Sequence, residues 1–159
     1  MSVRWLTSEE LRSWRSFIET VGDLQSALER DLAPHGLTLG DYQALVYLSE
    51  AETHAMRMCD LANRLQLSPS GLTRRLDGLV SAGLVTREPS TADRRVAMAV
   101  LTPAGRSKLE ETAPDHVASV RRRIFDRLDP RQVRELGAIF DAIAAGLEES
   151  DERPADAVA

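Results

Sequence analysis

The sequence predicts a mainly α-helical protein with one small β-hairpin, and three observations carry that expectation. Apolar residues recur at three- and four-residue spacing through several long segments, most of them opened by helix-capping residues. Two short strand-like runs, Leu84 to Glu88 and Val96 to Leu101, flank the polar loop Pro89 to Arg95 as in a hairpin. The 159 residues are 43% apolar and 28% charged, which suits one buried core and excludes a wholly disordered chain.

Thr7 followed by Glu10 reads as a capping box. Leu11, Trp14, Ile18, Val21, Gln25, Leu28 and Leu32 then form a stripe, apolar except at Gln25, and Pro34, His35 and Gly36 end the helix. Thr38 opens a second helix with Tyr42, Leu45, Val46 and Ser49 on related faces, and Thr53 to Arg57 reads as a short strand or a turn. Met58 to Leu65 is a short helix with Leu61, Ala62 and Leu65 inward. Ser68-Pro69 caps the next, which sets Leu72, Leu76, Leu79 and Val80 on one face and stops near Gly83. Two short helices so closely spaced make a helix-turn-helix, and with the hairpin behind it a winged helix. Thr102-Pro103 opens a long helix with the stripe Leu109, Ala113, Val117, Val120 and Ile124, and Pro114 is expected to kink it. Asp129-Pro130 starts the last helix, where Val133, Leu136, Phe140, Ile143 and Leu147 repeat.

One domain is therefore expected over 8–148, with the winged helix at about 38–102 and flanking helices at about 8–33 and 103–148. The acidic, alanine-rich tail 149–159 has no periodicity and reads as disordered. The flanking helices are too apolar along one side to stand alone. They are expected to pack together and against a second copy of the chain, as dimerisation helices, with a monomeric bundle as the alternative.

Charge is distributed unevenly. Twenty basic and twenty-five acidic residues give a net charge of −5, yet Arg57 to Arg95 holds seven arginines against four acids, a net of +3. A local basic face matters more for phosphate contact than the total does. The apolar runs fall far short of the ~20 residues that span a bilayer, so no membrane partner is expected. The opening MSVRWLTSEE has no apolar leader, and one cysteine permits no internal disulfide, so a cytoplasmic location is expected.

The stretch MCDLANRLQLSPSGLTRRLDGLVSAGLVTREPSTADRRVAMAVLTPAGRSKLE, Met58 to Glu110, resembles the multiple-antibiotic-resistance-regulator (MarR) family. The wing carries the most specific match: Asp93-Arg94-Arg95 fits the family's Asp-x-Arg, followed by Leu101-Thr102 and Gly105 at the expected distance. The order of helices extends the resemblance over roughly Ser8 to Glu148. It implies a homodimeric winged-helix transcriptional regulator on a pseudo-palindromic double-stranded operator, most often a repressor released by a small molecule or an oxidant.

In a helix-turn-helix the second helix lies in the major groove with its N-terminal residues near base edges. Here that end carries Ser68, Ser70, Gly71, Thr73, Arg74 and Arg75. Ser70 and Arg74 share a face with Thr73 beside them, turned away from Leu72, Leu76 and Leu79. Either arginine suits bidentate bonding to guanine, and the sequence leaves open which reads a base and which holds phosphate. The resemblance implies that the wing tip enters the minor groove, with Arg94 or Arg95 inserted and Asp93 orienting its neighbour; bracing of the hairpin is the plainer alternative. Arg57, Arg64 and Arg87 read as phosphate contacts or ordinary surface, and Arg121-Arg122-Arg123 as intersubunit or intrahelical pairing rather than a second DNA site.

Trp14, Phe17, Tyr42 and His116 are the candidates to line an effector pocket, which the resemblance puts between the first two helices and the helix after the wing. Aromatic walls with one or two polar groups suit a phenolic or other aromatic small molecule. Trp14 lies on the apolar stripe, so plain core packing competes with the pocket there and at Phe17. Cys59 at the start of a short helix permits a redox-responsive alternative, although a buried small residue explains it better. Three histidines and one cysteine show no close ligand spacing, so neither a metal nor another cofactor is expected. No nucleophile elbow, phosphate loop or dinucleotide fingerprint is present, so an enzyme is not expected. A winged-helix module that binds another protein and no DNA is the competing class.

Overall fold

The computed structural model describes residues 3–151, so most of the predicted tail lies outside the described residues; its first three positions fall in the last helix. The order is α1 (Ser8–Leu32), α2 (Leu39–Glu50), β1 (Ala55–Arg57), α3 (Met58–Arg64), α4 (Pro69–Ser81), β2 (Val85–Pro89), β3 (Ala97–Leu101), α5 (Pro103–Arg123) and α6 (Pro130–Asp151). Two compact units part between Ser119 and Val120, within α5.

In the first unit the caps read from sequence are formed. Thr7 Oγ1 accepts from Glu10 N while Glu10 Oε2 accepts from Thr7 N, and Thr38 and Asp41 do the same for α2. The core gathers Leu32 of α1, Leu45 and Leu48 of α2, Leu61 of α3, Leu72 and Leu76 of α4 and Val85 of β2, all without solvent contact. Val80, expected on the same face of α4, is exposed instead. The helix-turn-helix bend sits at Gln66, whose φ of 54° is left-handed, and Leu67 N closes it onto Ala62 O at 2.9 Å. Its side-chain amide donates to Asn63 O, which helps hold a conformation that glycine usually supplies.

The sheet has three antiparallel strands in the order β1-β3-β2. The ambiguous segment before α3 resolves into a turn ending at His54, itself left-handed, followed by β1, which pairs Ala55 with Val100. The expected hairpin pairs Val85 with Leu101 through Pro89 with Ala97. The result is the mainly α winged helix-turn-helix that the sequence predicted, with one strand more.

The face that α5 buries differs from the predicted stripe. Gly105, Thr112 and Ser119, seven residues apart, are buried, while Val117 is 53% exposed. Small residues let the helix approach closely, and their hydroxyls are satisfied: Thr112 donates to Lys108 O, and Ser119 Oγ to Asp31 of α1. Thr102 Oγ1 accepts from Gly105 N at 2.9 Å and donates to Gly83 O at 2.7 Å, docking the first turn of α5 on the start of the wing. A Cβ at Gly105 would run into the carbonyl oxygen of Leu84 and stand 2.8 Å from Leu101 Cδ1. Gly105→Ala is therefore expected to cost about 1–3 kcal/mol by overpacking, read as a lowered denaturant midpoint at unchanged slope.

The second unit holds the end of α5, a 3-10 turn at Phe125–Arg127, and α6. Asp129 Oδ1 accepts from the backbone N–H groups of Arg131 and Gln132, and Gln132 Oε1 accepts from Asp129 N, a reciprocal cap on α6. Arg121 pairs with Asp126 at 3.1 Å. Ile139, Phe140, Ile143 and Leu147 lie along α6 at 46–63% exposure.

Candidate nucleic-acid interface and ligand cavity

Ser68 caps α4 by accepting from Gly71 N at 3.1 Å, and its hydroxyl also lies 3.2 Å from that of Ser70. Pro69 supplies a first-turn residue with no N–H to satisfy. Thr73 is exposed, and its hydroxyl donates to Pro69 O at 2.9 Å. Gly71 is half-buried beside Leu67, with Ser68 Oγ 3.2 Å from where a Cβ would stand.

The two adjacent arginines, equivalent in the sequence, are opposites in the structure. Arg75 turns back onto α2, where Nη1 donates to Thr38 Oγ1 at 2.9 Å and pairs with Asp41 Oδ1 at 3.3 Å. Its guanidinium lies over Gly40, at the place a Cβ would occupy. Arg74 points into solvent with no protein partner among the described residues. Arg87 of β2 holds the other side of α4, donating to Thr73 O at 2.7 Å and pairing with Asp77 at 2.9 Å. Arg64 lies over the ring of Tyr47, 5.3 Å from its centroid.

At the wing tip Asp93 grips Arg95 at three points. Oδ1 accepts from the backbone N–H at 3.0 Å and from Nε at 3.1 Å, and Oδ2 accepts from Nη2 at 3.2 Å. These bonds, with the charge of Arg57 behind them, hold the Asp93 carboxyl below its ordinary range, so the grip persists into acid. The Arg95 side chain nonetheless remains 90% exposed, a guanidinium held outward in a set direction. Arg94 beside it is exposed and has no protein partner among the described residues.

A cavity of about 410 Å³ lies between α1, α2 and α5, within the range of small-molecule sites. Leu24 and Leu28 of α1, Leu39, Tyr42 and Val46 of α2 and His116 of α5 are among its walls. The rings of Tyr42 and His116 are 4.3 Å apart, tilted by 41°. His116 Nδ1 is buried and has no hydrogen-bond partner among the described residues. Trp14 and Phe17 do not line this cavity; they face each other at 6.2 Å farther up α1, 53% and 40% exposed. The structure thus brings together two of the four aromatic candidates.

Burial holds the His116 imidazole below its usual value of 6.5 and the Tyr42 hydroxyl above its usual 10.0. The folded protein therefore binds a proton at His116 less readily than the unfolded chain, so protonation of this residue contributes nothing above about pH 6.5 and increasingly opposes folding as the pH falls below it. Lowering the pH from about 7 to about 5.5 is expected to destabilise the wild type more than His116→Gln, as read by denaturant midpoints.

Cys59 is exposed, not buried as the sequence reading preferred, because the inward positions of α3 belong to Leu61 and Ala62; its thiol faces Asp60 at 3.5 Å. Among the described residues no group of three or more His, Cys, Asp or Glu side chains could hold a metal ion, and no helix is long and apolar enough to cross a membrane.

A helix-turn-helix with its second helix exposed at the N-terminal end, joined to a wing tipped by oriented arginine, is the architecture of the winged-helix DNA-binding regulators. A model described as MarR family matches residues 35–96, from the turn after α1 to the wing. AbsC, a MarR family transcriptional regulator from Streptomyces coelicolor, is 44% identical, with 92% of this chain and 99% of that chain covered and a TM-score of 0.87. Sco3205, from the same organism and solved in complex with DNA, is 39% identical over 99% of this chain and 96% of its own, also with a TM-score of 0.87. The transcriptional repressor YetL of Bacillus subtilis is 28% identical over 137 residues, 84% of this chain and 82% of its own. The chain belongs to the MarR family of transcriptional regulators.

Proposed function

We propose that this protein is a homodimeric, sequence-specific repressor that leaves its operator when a small aromatic ligand occupies the cavity beside α2. The carrying observation is the pair of projecting basic groups: Arg74 unpaired near the start of α4, and Arg94 and Arg95 at a wing tip ordered by Asp93. Arg74 suits a base edge in the major groove, and the wing arginines suit the negative potential of a narrow minor groove. Ser70 and Thr73, beside Arg74, suit phosphate or base contacts; Ser68 and Gly71 serve by capping and seating the helix. Arg75, paired with Asp41, suits a role in seating α4 rather than direct contact, which favours Arg74 as the base reader.

The dimer follows from apolar surface. Leu11, Trp14, Phe17 and Ile18 of α1 are 37–53% exposed, and α6 presents its own apolar row. Surfaces of this kind mark association, and a second copy supplies matching ones in closed two-fold symmetry. For the ligand, the neutral His116 imidazole offers a buried nitrogen, without a partner among the described residues, beside the tilted Tyr42 phenol. An aromatic molecule bearing a hydroxyl or carboxyl group meets both requirements.

The test is an anisotropy titration of the purified protein against duplex DNA from its own upstream region, beside a scrambled duplex, at two salt concentrations. Preference for the upstream duplex, with log affinity falling by about 0.9 per phosphate contact per decade of salt, is the expected result. Equal, salt-insensitive binding to both would instead favour a protein-binding module.

A further inference from the structure

We infer that Arg75 is a positioning residue: through the capping box of α2 it ties the DNA-reading helix α4 to the wall of the cavity, so that cavity occupancy is felt at α4. This rests on the proposal that the cavity governs DNA binding.

The N-terminal cap of α2 is a single hydrogen-bonded unit into which Arg75 is built. Asp41 Oδ2 accepts from Thr38 N at 3.0 Å and from Thr38 Oγ1 at 2.6 Å. Thr38 Oγ1 accepts in turn from Asp41 N at 3.1 Å and from Arg75 Nη1 at 2.9 Å. Oδ1 of Asp41, left over by the cap, takes the same guanidinium. Gly40 leaves the space in which Arg75 lies, which a side chain there would fill. Among the described residues these are the only hydrogen bonds between α4 and α2 with its cap; the core residues that the two helices share are apolar. Apolar packing is non-directional, whereas a guanidinium held at two acceptors fixes an angle.

The same turn of α2 forms the cavity wall. Leu39 follows Thr38, Tyr42 follows Asp41, and both line the cavity. Leu39 N is also tied to Glu29 Oε2 of α1 at 2.7 Å. A group that displaces Leu39 or Tyr42 therefore moves the cap to which Arg75 is bonded. On its far side α4 is held by Arg87 to the wing strand, so a pull at Arg75 turns the helix against that anchor. Coupling needs differential contacts in two arrangements, and Arg75 supplies the polar one.

A thermodynamic cycle tests this without knowledge of the ligand. Gln25, exposed at the cavity rim on α1, is replaced by tryptophan as a built-in wedge. Operator affinity is then measured for wild type, Q25W, R75A and R75A/Q25W, with R75K as the conservative variant. We expect Q25W to weaken operator binding about tenfold in the wild-type background and less than about threefold alongside R75A, with part of the response kept in R75K. Equal responses in both backgrounds would overturn the role of Arg75 while leaving the cavity linked to DNA. No response to Q25W in either background would overturn the cavity reading and this inference with it. Should R75A fail to fold, R75Q and D41N break the same bonds with smaller changes, and the same pattern is required of them.

Discussion

Arg74→Ala is expected to remove most of the protein's preference for its operator while leaving binding to a scrambled duplex nearly intact. A bidentate arginine–guanine contact is worth about 1–3 kcal/mol of discrimination, or roughly five- to 150-fold in relative affinity. The residue is exposed and has no protein partner among the described residues, so its removal disturbs little of the fold. Arg95→Ala should behave differently, lowering affinity for both duplexes because a wing guanidinium attracted to a narrow groove responds to charge and shape. Paired titrations at fixed salt separate the two. Equal losses from both substitutions on both duplexes would contradict this division of labour.

Ile143→Asp is expected to convert the proposed dimer to a monomer whose helices remain folded. Ile143 is 50% exposed on α6, so the substitution takes little from the core of a single chain. Across a two-fold interface each change occurs twice. Burying the exposed half of two isoleucine side chains is worth about 1.5–3 kcal/mol, and that is forfeited before any penalty for placing two carboxylates there. Sedimentation velocity alongside far-ultraviolet circular dichroism reads both parts of the expectation. Operator affinity should fall with the dimer, because a monomer engages one half-site alone. A stable dimer in this variant would put the interface elsewhere.

Helix starts were legible because a cap is a local contract between neighbouring residues. Thr7 with Glu10, Ser68 with Pro69, and Asp129 with Pro130 each declare an α-helix start within four positions. The hairpin and the helix-turn-helix followed from the spacing of such signals, and the MarR resemblance from the wing. What escaped depended on packing across the chain. The buried face of α5 is built from Gly105, Thr112 and Ser119, which a count of apolar residues passes over. Cys59 looked like a core residue and is exposed, since its neighbours Leu61 and Ala62 take the inward positions.

The interface shows the same division. Arg74 and Arg75 are indistinguishable as adjacent charges, and the information that separates them lies in Thr38, Gly40 and Asp41 of another helix. An arginine apposed to a glycine and to the carboxylate of a capping box is a signal, but only once α2 and α4 are known to touch. For the cavity, Tyr42 and His116 were two of four aromatic candidates, and the structure sets their rings 4.3 Å apart at a tilt of 41°. Trp14 and Phe17 sit on the part of α1 that leaves the core, where the periodicity of the stripe continues while the side chains are 53% and 40% exposed.

The central claim is that two copies of α4 read successive major grooves, roughly 34–36 Å apart, on one face of the duplex. Inserting about five base pairs between the half-sites of the footprinted operator, half a helical turn, tests it most directly. We expect affinity to fall to that of a scrambled duplex, because the second half-site rotates to the opposite face. Unchanged affinity after the insertion would contradict the symmetric, dimeric account.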